Sequence, residues 1–290
     1  MCGLFGVMRA PGSADPARAS EAFLRLGLRA QERGQDAAGV ALVGAGPSGT
    51  GPVHPYGEES VVAGLAEGDL GDLRIVKGCT RFDQVWRDDL RPELDAAWLA
   101  FGHTRWATQG APDELLNTSP WAVAGRVFTH NGDIDVPRLR RLFALPASRG
   151  TTDSEPLFRA LAAAGEDVGL ITDLLTGVVG RAALAWTDRS RPDRIHLARA
   201  SLSPLSLAYD DTGDLYWASN PAWLRAIGLA DITIFDEGTY LCLSRDGAVV
   251  ATSTFQPTAR DWDLDDRVWT GFSPDDMAAD RSRLRHRVLT

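Results

Sequence analysis

The sequence predicts an α+β domain built of antiparallel sheets with helices packed outside them. Predicted strands outnumber predicted helices along the 290 residues, and most strands come in neighbouring groups. Turn signals join some of these neighbours, as at Asp211-Thr212-Gly213-Asp214. This order favours layered antiparallel sheets over repeated strand–helix–strand units.

The first predicted elements are a short strand and a long amphipathic helix. Residues 3–8 alternate small and apolar side chains, which is typical of a short buried strand. Asp15 is a good N-cap for a helix predicted over 16–33, where apolar residues recur at three- and four-residue steps. A second strand is predicted at 40–43, and the Gly-, Pro- and Ser-rich segment 44–55 is predicted to be a surface loop.

The rest of the chain supplies the remaining sheet and helix elements. Strands are predicted at 73–77, 97–103, 126–130, 182–187, 195–198, 205–209, 215–218 and 240–244. Helices are predicted at 136–143, 154–164 and 170–179. After residue 250 the composition changes to tryptophans among aspartates and then a run of arginines. We therefore expect one domain over 2–250 and a C-terminal tail over 251–290 that is peripheral or docks a partner.

Composition and charge narrow the classes of function. The formal net charge of −9 argues against non-specific binding to nucleic acid and against docking on an anionic membrane. There is no signal-peptide pattern and no apolar run near the ~18 residues of a membrane span, so we expect a cytoplasmic protein. The three cysteines have no CxxC spacing, which argues against a zinc site or a disulfide framework, and their odd number fits a reducing compartment. We expect no metal and no cofactor.

Cys2 is the residue around which the predicted chemistry is organised. Its side chain is small enough for Met1 to be removed, which would leave a thiol and a free α-amino group on one residue. An α-amino group titrates near pH ~8 and can accept the proton of a neighbouring thiol, whose thiolate is the reactive form. Taken alone, Cys2 is more simply a small, partly buried side chain. Three later segments favour the nucleophile.

The first of these segments, 102–110, follows a predicted strand and contains Arg105. A guanidinium offers a planar fork of donors that suits a carboxylate, although an arginine whose stem covers Trp106 is also an ordinary surface feature.

The second segment contains Asn131 and Gly132 at the end of another predicted strand. Asn-Gly is first a turn signal, but near a nucleophile the Asn131 amide and the Gly132 N–H would form an oxyanion hole.

The third segment, Thr152-Asp153-Ser154-Glu155, opens a predicted helix. The pattern predicts a capping box with Thr152 at the N-cap and Glu155 at N3. Asp153 would then lie in the first turn, where the helix dipole favours an ionised carboxylate. Such a carboxylate is a suitable partner for a substrate ammonium.

Together these segments resemble the class II glutamine amidotransferase domain of the N-terminal-nucleophile (Ntn) hydrolases. The matching segments, in the family's order, are Cys2-Gly3 with Phe5-Gly6, residues 33–39, residues 103–108, His130-Asn131-Gly132 and Thr152-Asp153-Ser154-Glu155. Weaker similarity at 203–205, 218–220 and 236–238 extends the match to about residue 245. Gln109 departs from the sugar-aminating members, which usually have histidine there. The resemblance implies a four-layer αββα sandwich, in which helices flank two antiparallel sheets.

The resemblance also implies roles for individual residues. The implied catalytic residues are Cys2 as nucleophile and Asn131 with Gly132 as oxyanion hole. The implied substrate-binding residues are Arg105 for the α-carboxylate, Asp153 for the α-amino group, Thr108 and Trp106 in the loop over the site, and Arg33 as support beside Cys2. The implied substrate is L-glutamine or another γ-glutamyl compound.

The implied reaction is hydrolysis of the glutamine side-chain amide through a Cys2 thioester, giving glutamate and ammonia. The chain ends where relatives continue into a synthetase-type domain, so we expect a separate ammonia-accepting synthetase as partner. A hydrolase or transferase acting on a γ-glutamyl amide in a specialised biosynthetic pathway is an alternative, because the Arg105 and Asp153 clamp would recognise the head group and not the leaving amine. A non-catalytic regulatory homologue is a second alternative. A superfamily acylase acting on bulky amides is a further option, but it would not need this clamp.

Overall fold

Two antiparallel β-sheets lie face to face at the centre of the described part of the chain in this computed structural model. The described residues are 1–44, 60–62, 65–69, 73–145, 147–191 and 193–289. The predicted surface loop at 44–55 lies outside them from residue 45 onward. Helices cover the outer face of each sheet, so the elements form the four αββα layers that the resemblance implied.

The larger sheet contains the first strand of the chain at its centre. Its strands are β1 (Gly3–Met8), β2 (Ala37–Val43), β3 (Ser60–Val62), β4 (Leu65–Asp69), β5 (Leu73–Gly78), β6 (Leu99–Arg105), β11 (Ser206–Tyr209), β12 (Leu215–Ala218) and β13 (Thr233–Ile234). Their spatial order is β13-β11-β12-β1-β6-β2-β5-β4-β3. Strands β1 and β6 are antiparallel and pair Gly3 with Thr104. This register places Cys2, just before β1, beside the end of β6.

The smaller sheet and a short parallel pair complete the β-structure of the described residues. The smaller sheet contains β7 (Trp121–Val123), β8 (Arg126–Ile134), β9 (Gly180–Asp188), β10 (Arg194–Arg199), β14 (Thr239–Ser244) and β15 (Val249–Thr254). Their order is β15-β14-β10-β9-β8-β7. The parallel pair is β16 (Thr258–Arg260) with β17 (Arg287–Leu289).

The helices divide between the outer faces of the two sheets. Those packed on the larger sheet are α1 (Pro16–Ala30), α2 (Phe82–Val85), α3 (Arg91–Ala96) and α7 (Pro221–Ala226). Those packed on the smaller sheet are α4 (Val136–Leu142), α5 (Ser154–Ala164) and α6 (Val168–Gly177). Helix α8 (Pro274–Arg281) belongs to the C-terminal segment.

Strand β1 shows how the layers follow from the sequence. Side chains alternate across a strand, and both faces of β1 are covered. Leu4 and Met8 point into the cluster between the two sheets. Phe5 and Val7 point into the cluster beneath α1. A strand that is buried on both faces must be small or apolar at every position, and residues 3–8 are.

Helix α1 begins as predicted and ends earlier. The Asp15 side chain accepts a hydrogen bond from the Arg18 N–H, and Pro16 occupies the first helical position. The helix ends at Ala30 rather than residue 33. The chain must leave the helix there because Gly34 lies directly against the backbone of Thr104 in β6.

Two local features differ from what the sequence signals. The chain does not turn at Asn131-Gly132, because β8, predicted at 126–130, continues through both residues to Ile134 and pairs with β9 along its whole length. The predicted capping box at 152–155 is absent. Asp153 occupies the N-cap of α5, and the Glu155 carboxylate accepts hydrogen bonds from the backbone N–H groups of Arg149 and Gly150 instead.

The segment after residue 255 packs on the domain through buried polar groups. Arg199 forms a two-pronged ion pair with Asp280 at 2.7 and 2.9 Å, and both side chains have 0% exposure. The Trp269 indole N–H also donates to Asp280 at 2.9 Å. Strand β15 spans residue 250. The division of the chain at residue 250, and a partner that docks on 251–290, stay predictions.

Within the described ranges, no helix is long and apolar enough to span a bilayer.

Candidate active site

The start of β1, the end of β6, the end of β8 and the start of α5 meet around one cavity of about 280 Å³. Its lining residues are Cys2, His103, Arg105, Trp106, Thr108, Gln109, Asn117, Ser119, His130, Gly132, Thr152, Asp153 and Ser154. The sequence-predicted residues Cys2, Arg105, Trp106, Thr108, Gly132 and Asp153 are therefore brought together. Asn131 and Arg33 lie beside this cavity and do not line it.

Cys2 is buried at the edge of the cavity, with 8% exposure. The Trp106 backbone N–H donates to Sγ at 3.4 Å, and Sγ lies 3.6 Å from the Trp106 carbonyl oxygen. Burial raises the pKa of the Cys2 thiol, while the chain's amino terminus and the Trp106 N–H lower it. The thiol is therefore protonated at neutral pH and needs a base in contact to become a nucleophile.

The amino terminus next to this thiol favours its neutral form. Burial lowers the pKa of the Met1 amine to about 6, although the nearby Cys2 raises it. The positive charges of Arg33, Arg181 and Arg267 lower it further. An amine in this position is largely uncharged at pH 7 and can accept a proton.

Arg105 fixes the loop that follows β6. Its Nη1 donates to the Ala111 carbonyl at 3.0 Å, and its Nη2 donates to the carbonyls of Gln109 and Gly110 at 2.8 and 3.0 Å. Gln109 in turn donates to the Asp133 carboxylate at 2.7 Å. The guanidinium that lines the cavity thus also holds the wall containing Thr108.

Asp153 presents a buried carboxylate to the same cavity. Its Oδ2 accepts from the Ile134 N–H at 3.0 Å, and its Oδ1 accepts from the Thr152 hydroxyl at 3.2 Å. The carboxylate makes no capping hydrogen bond to α5, although Asp153 is the N-cap residue. Burial raises the pKa of Asp153, and His130 and the Ile134 N–H lower it. A cation in the cavity would offset the cost of burying the ionised carboxylate.

Gly132 lines the cavity, whereas the Asn131 side chain does not. A side chain at Gly132 would place its Cβ 1.9 Å from the Arg181 carbonyl oxygen and 2.4 Å from His130 Nε2, so only glycine fits. The Asn131 amide nitrogen donates to the Ser219 hydroxyl at 3.2 Å, and that hydroxyl accepts from the Leu4 N–H at 3.0 Å. Asn131 is thus tied to the chain two residues after Cys2.

Arg33 lies behind Cys2. Its Nε donates to the Cys2 carbonyl oxygen at 3.1 Å, and its side chain is 1% exposed. Burial lowers the pKa of Arg33 to about 10. The residue therefore positions the backbone of Cys2 and lines a second cavity, on the side of Met1.

Sequence reasoning did not find several residues of the cavity wall. Asn117 Oδ1 accepts from the N–H groups of Thr151 and Thr152, and its Nδ2 donates to the Ala111 carbonyl, so it joins the Arg105 loop to the start of α5. Burial lowers the pKa of His103 to about 3 and also lowers that of His130, so both rings are neutral. Asn117 has no local pattern that marks it, whereas Ser219 lies in one of the weakly similar segments.

Comparisons with known proteins show which proteins the chain is similar to. The chain is 31% identical over 258 residues to a glutamine–fructose-6-phosphate aminotransferase (isomerizing) of Rhizobium meliloti strain 1021, a match that covers 86% of the chain and 35% of that protein. It is 28% identical over 268 residues to the Agrobacterium fabrum protein of the same name, covering 90% of the chain and 38% of the relative. The chain thus spans little more than a third of the length of these relatives. No family model matches it.

Solved structures share the fold. A glutamine phosphoribosylpyrophosphate amidotransferase from B. subtilis superposes with a TM-score of 0.60 at 19% identity, covering 88% of this chain and 49% of that one. A structure described as the allosteric regulatory enzyme of purine biosynthesis gives a TM-score of 0.62 at 18% identity, with the same coverage.

The αββα layers, with a cysteine as second residue at the edge of the cavity, match the Ntn-hydrolase fold of these solved structures. Over nearly its whole length the chain is homologous to glutamine–fructose-6-phosphate aminotransferases, which are class II glutamine amidotransferases.

Proposed function

We propose that the domain hydrolyses the side-chain amide of L-glutamine, with Cys2 as nucleophile once Met1 has been removed. The observation that supports this most is the meeting of Cys2, Arg105 and Asp153 in one cavity, although 103 and 48 positions separate them along the chain. A thiol, a guanidinium and a carboxylate around one small cavity match the three functional groups of an amino acid with a side-chain amide. The relatives' names also include glutamine as a substrate.

The chemistry begins with proton transfer from the Cys2 thiol to its own α-amine. Sγ then attacks the amide carbon, and a tetrahedral intermediate forms with negative charge on the former carbonyl oxygen. The α-ammonium returns the proton to the leaving nitrogen as the C–N bond breaks. Ammonia departs, and the γ-glutamyl group remains on Sγ as a thioester. Water then attacks the thioester carbon, which releases glutamate and restores the thiol.

The oxyanion would be stabilised by Gly132 and Asn131 of β8. Removing one such donor typically costs ~2.7–4 kcal/mol of transition-state stabilisation. Asn131 can serve in this role if its amide turns from Ser219 toward the cavity when substrate binds. The hydrogen bond between Asn131 and Ser219, at 3.2 Å, would then be exchanged for one to the substrate.

Arg105 and Asp153 would hold the head group of the substrate, the first through the α-carboxylate and the second through the α-ammonium. Neither group touches the reacting bond. Their binding energy orients the amide carbon toward Sγ, and correct orientation can supply several kcal/mol of the barrier. Trp106, half-exposed at the mouth of the cavity, would limit the access of water.

We infer that the ammonia is used by a separate synthetase. The names of the relatives pair glutamine with an acceptor, fructose 6-phosphate, so in those proteins the amide nitrogen is transferred to a second substrate. A non-catalytic homologue is disfavoured, because binding alone would not require a thiol on the residue whose α-amine is freed when Met1 is removed.

The proposal is tested by measuring glutamate release from glutamine by the wild type and by Cys2→Ala. We expect the variant to lose at least ~1,000-fold in kcat because no other group forms the thioester. Cys79→Ala, which removes another thiol, is the matched control and should retain the wild-type rate. Glutamate release by Cys2→Ala at the wild-type rate would contradict the proposal.

A further inference from the structure

A second cavity of about 480 Å³ adjoins the first on the side of Met1. Its lining includes Met1, Glu32, Arg33, Arg181, Arg267 and Thr270. Trp106 and Thr108 line both cavities, so the two spaces share a wall. We call this second space the vestibule.

Three arginines from distant parts of the chain face the vestibule. Arg33 follows α1, Arg181 lies on β9, and Arg267 comes from the C-terminal segment. Their charges all act on the Met1 amine. Glu32 is the acidic residue among the lining side chains, so the lining has a net positive charge although the chain as a whole has a charge of −9.

The arginines are only partly neutralised by neighbouring carboxylates. Arg267 pairs with Asp265 at 2.7 Å, and Arg181 lies 3.6 Å from Asp133. Arg33 is different, because its Nη1 and Nη2 are buried and have no hydrogen-bond partner. Buried guanidinium donors normally bind a partner, and a carboxylate or phosphate has the matching geometry.

The C-terminal segment builds the outer wall of the vestibule. The Phe272 ring lies 6.0 Å from the guanidinium carbon of Arg33, and the Gly271 carbonyl accepts from Asn220 at 2.8 Å. These contacts hold Arg267 and Thr270 beside the N-terminus. A segment that could otherwise be a simple appendage thus supplies a cationic side chain next to the proposed reaction centre.

The vestibule lies on the side where the leaving group of the substrate would be. In the proposed reaction the leaving nitrogen takes its proton from the Cys2 α-amine, so the leaving group must lie next to that nitrogen. In the structure the same nitrogen is bonded to Met1, which lines the vestibule. The γ-glutamyl head group occupies the opposite side, between Arg105 and Asp153. Any substituent on the leaving nitrogen would therefore extend toward the three arginines.

We propose that the vestibule binds an anionic group on the amine that is joined to the γ-glutamyl carbonyl, so that the enzyme accepts γ-glutamyl amides of carboxylate- or phosphate-bearing amines. This inference rests on the proposed function, since it uses the same Cys2 thioester, and it names the class of leaving amine. Atoms balance as for glutamine: the C–N bond breaks, the amine leaves with one added proton, and water converts the thioester to glutamate.

The test compares three substrates: L-glutamine, γ-L-glutamylglycine and γ-L-glutamylglycinamide. The last two differ in charge and are nearly equal in size. We expect the wild-type kcat/KM for the glycine compound to exceed that for the glycinamide compound at least ~10-fold, as one charge-assisted contact would give. Arg267→Gln should lower this ratio toward one. The ratio compares two substrates of the same variant, so a variant that is equally less active on both substrates keeps the wild-type ratio.

Arg18→Gln is the matched control, because Arg18 is also an exposed arginine paired with an aspartate and does not line the vestibule. It should keep the wild-type ratio. If the wild type hydrolyses glutamine but shows equal rates for the two amides, or if Arg267→Gln keeps the full ratio, the inference is overturned and the proposed function stands. If none of the three substrates is hydrolysed, the proposed function itself fails.

Discussion

Cys2 and Asp153 are both buried at the cavity, and burial raises the pKa of each. A raised thiol pKa makes Cys2 depend on a base in contact, and the adjacent amine is the group that can supply one. A raised carboxyl pKa makes Asp153 dependent on a cation or on hydrogen-bond donors to remain ionised. The ionised form of the Asp153 carboxylate is therefore costly in an empty site, and a bound substrate ammonium would stabilise it.

The pH dependence of substrate binding follows from Asp153. Its carboxylate must be ionised to hold the substrate ammonium, and the ionised form is lost as pH falls through the raised pKa. We expect the KM for glutamine to increase as pH falls, beginning at a higher pH than an ordinary aspartate with a pKa near ~3.9 would require. Initial rates over a glutamine series at each pH would separate KM from kcat.

Asp153→Asn provides the comparison, because an amide does not titrate. Its KM should be high and independent of pH. A wild-type KM that depends on pH no more than the KM of Asp153→Asn would show that Asp153 does not hold the ammonium.

How far the site could be predicted differs from residue to residue. Cys2, Arg105 and Asp153 were found because each lies in a short segment whose residue types suit the chemistry. Asn117 was missed because its contacts join two loops that are distant in sequence, and nothing local marks it. The Asn131 side chain was expected in the cavity, whereas in the structure its amide donates to Ser219.

At the scale of secondary-structure elements, the close approach of α1 and β6 positions the site. The chain leaves α1 at Ala30 and passes the end of β6 so closely that a Cβ at Gly34 would lie 2.6 Å from backbone atoms of Thr104 and Arg105. Real Cβ atoms do not approach backbone so closely. The close packing of this chain segment against the end of β6, where the Arg105 loop begins, therefore requires glycine at position 34.

Gly34→Ala tests this arrangement. The added methyl should displace the end of β6, raise the KM for glutamine severalfold and lower the free energy of unfolding by ~1–3 kcal/mol, the usual cost of overpacking. Steady-state kinetics and urea unfolding would measure the two effects.

Gly169→Ala is the control because Gly169 is exposed in α6, where alanine is the better helix former. It should leave KM unchanged and should not destabilise the protein. A Gly34→Ala protein with the stability and KM of the wild type would show that β6 does not depend on this contact.

Strand and helix predictions succeeded where the local pattern and the tertiary environment agree. The strand at 3–8, the strand at 215–218 and the helix at 154–164 have the predicted bounds. The Asn131-Gly132 turn signal does not produce a turn, because antiparallel pairing with β9 stabilises an extended chain through both residues. Short elements such as α2 and β7 were missed, since four or three residues show no periodicity.

At the scale of the whole molecule, the C-terminal segment is joined to the sandwich by the buried Arg199–Asp280 ion pair. Removing one partner of such a pair leaves the other charge buried without compensation, which typically costs ~3–5 kcal/mol. We expect Asp280→Asn to lose stability of this size in urea unfolding. The variant should also loosen the segment that carries Arg267 and Thr270 in the vestibule wall, because Trp269, which lies between them, donates to the same carboxylate.

Asp275→Asn, an exposed change of the same type on the same helix, is the control and should alter stability by less than ~0.5 kcal/mol. If Asp280→Asn unfolds at the same urea concentration as this control, the segment is not held by the buried pair.

The fold class was predictable because it depends on features that repeat along the chain. Strand groups and turn signals indicated antiparallel sheets, and the resemblance implied the four layers that the structure confirms. The vestibule was not predictable, because Arg33, Arg181 and Arg267 are separated by more than 80 residues at each step and share no local pattern.

The most direct test of the account is peptide mapping after reaction with 6-diazo-5-oxo-L-norleucine, a glutamine analogue that alkylates the attacking thiol. The account predicts an N-terminal peptide that begins at Cys2, lacks Met1 and carries the adduct on Sγ, while Cys242, buried with a pKa raised to about 12, stays unmodified. An N-terminal peptide that retains Met1, or an adduct on Cys79 or Cys242 instead of Cys2, would contradict it.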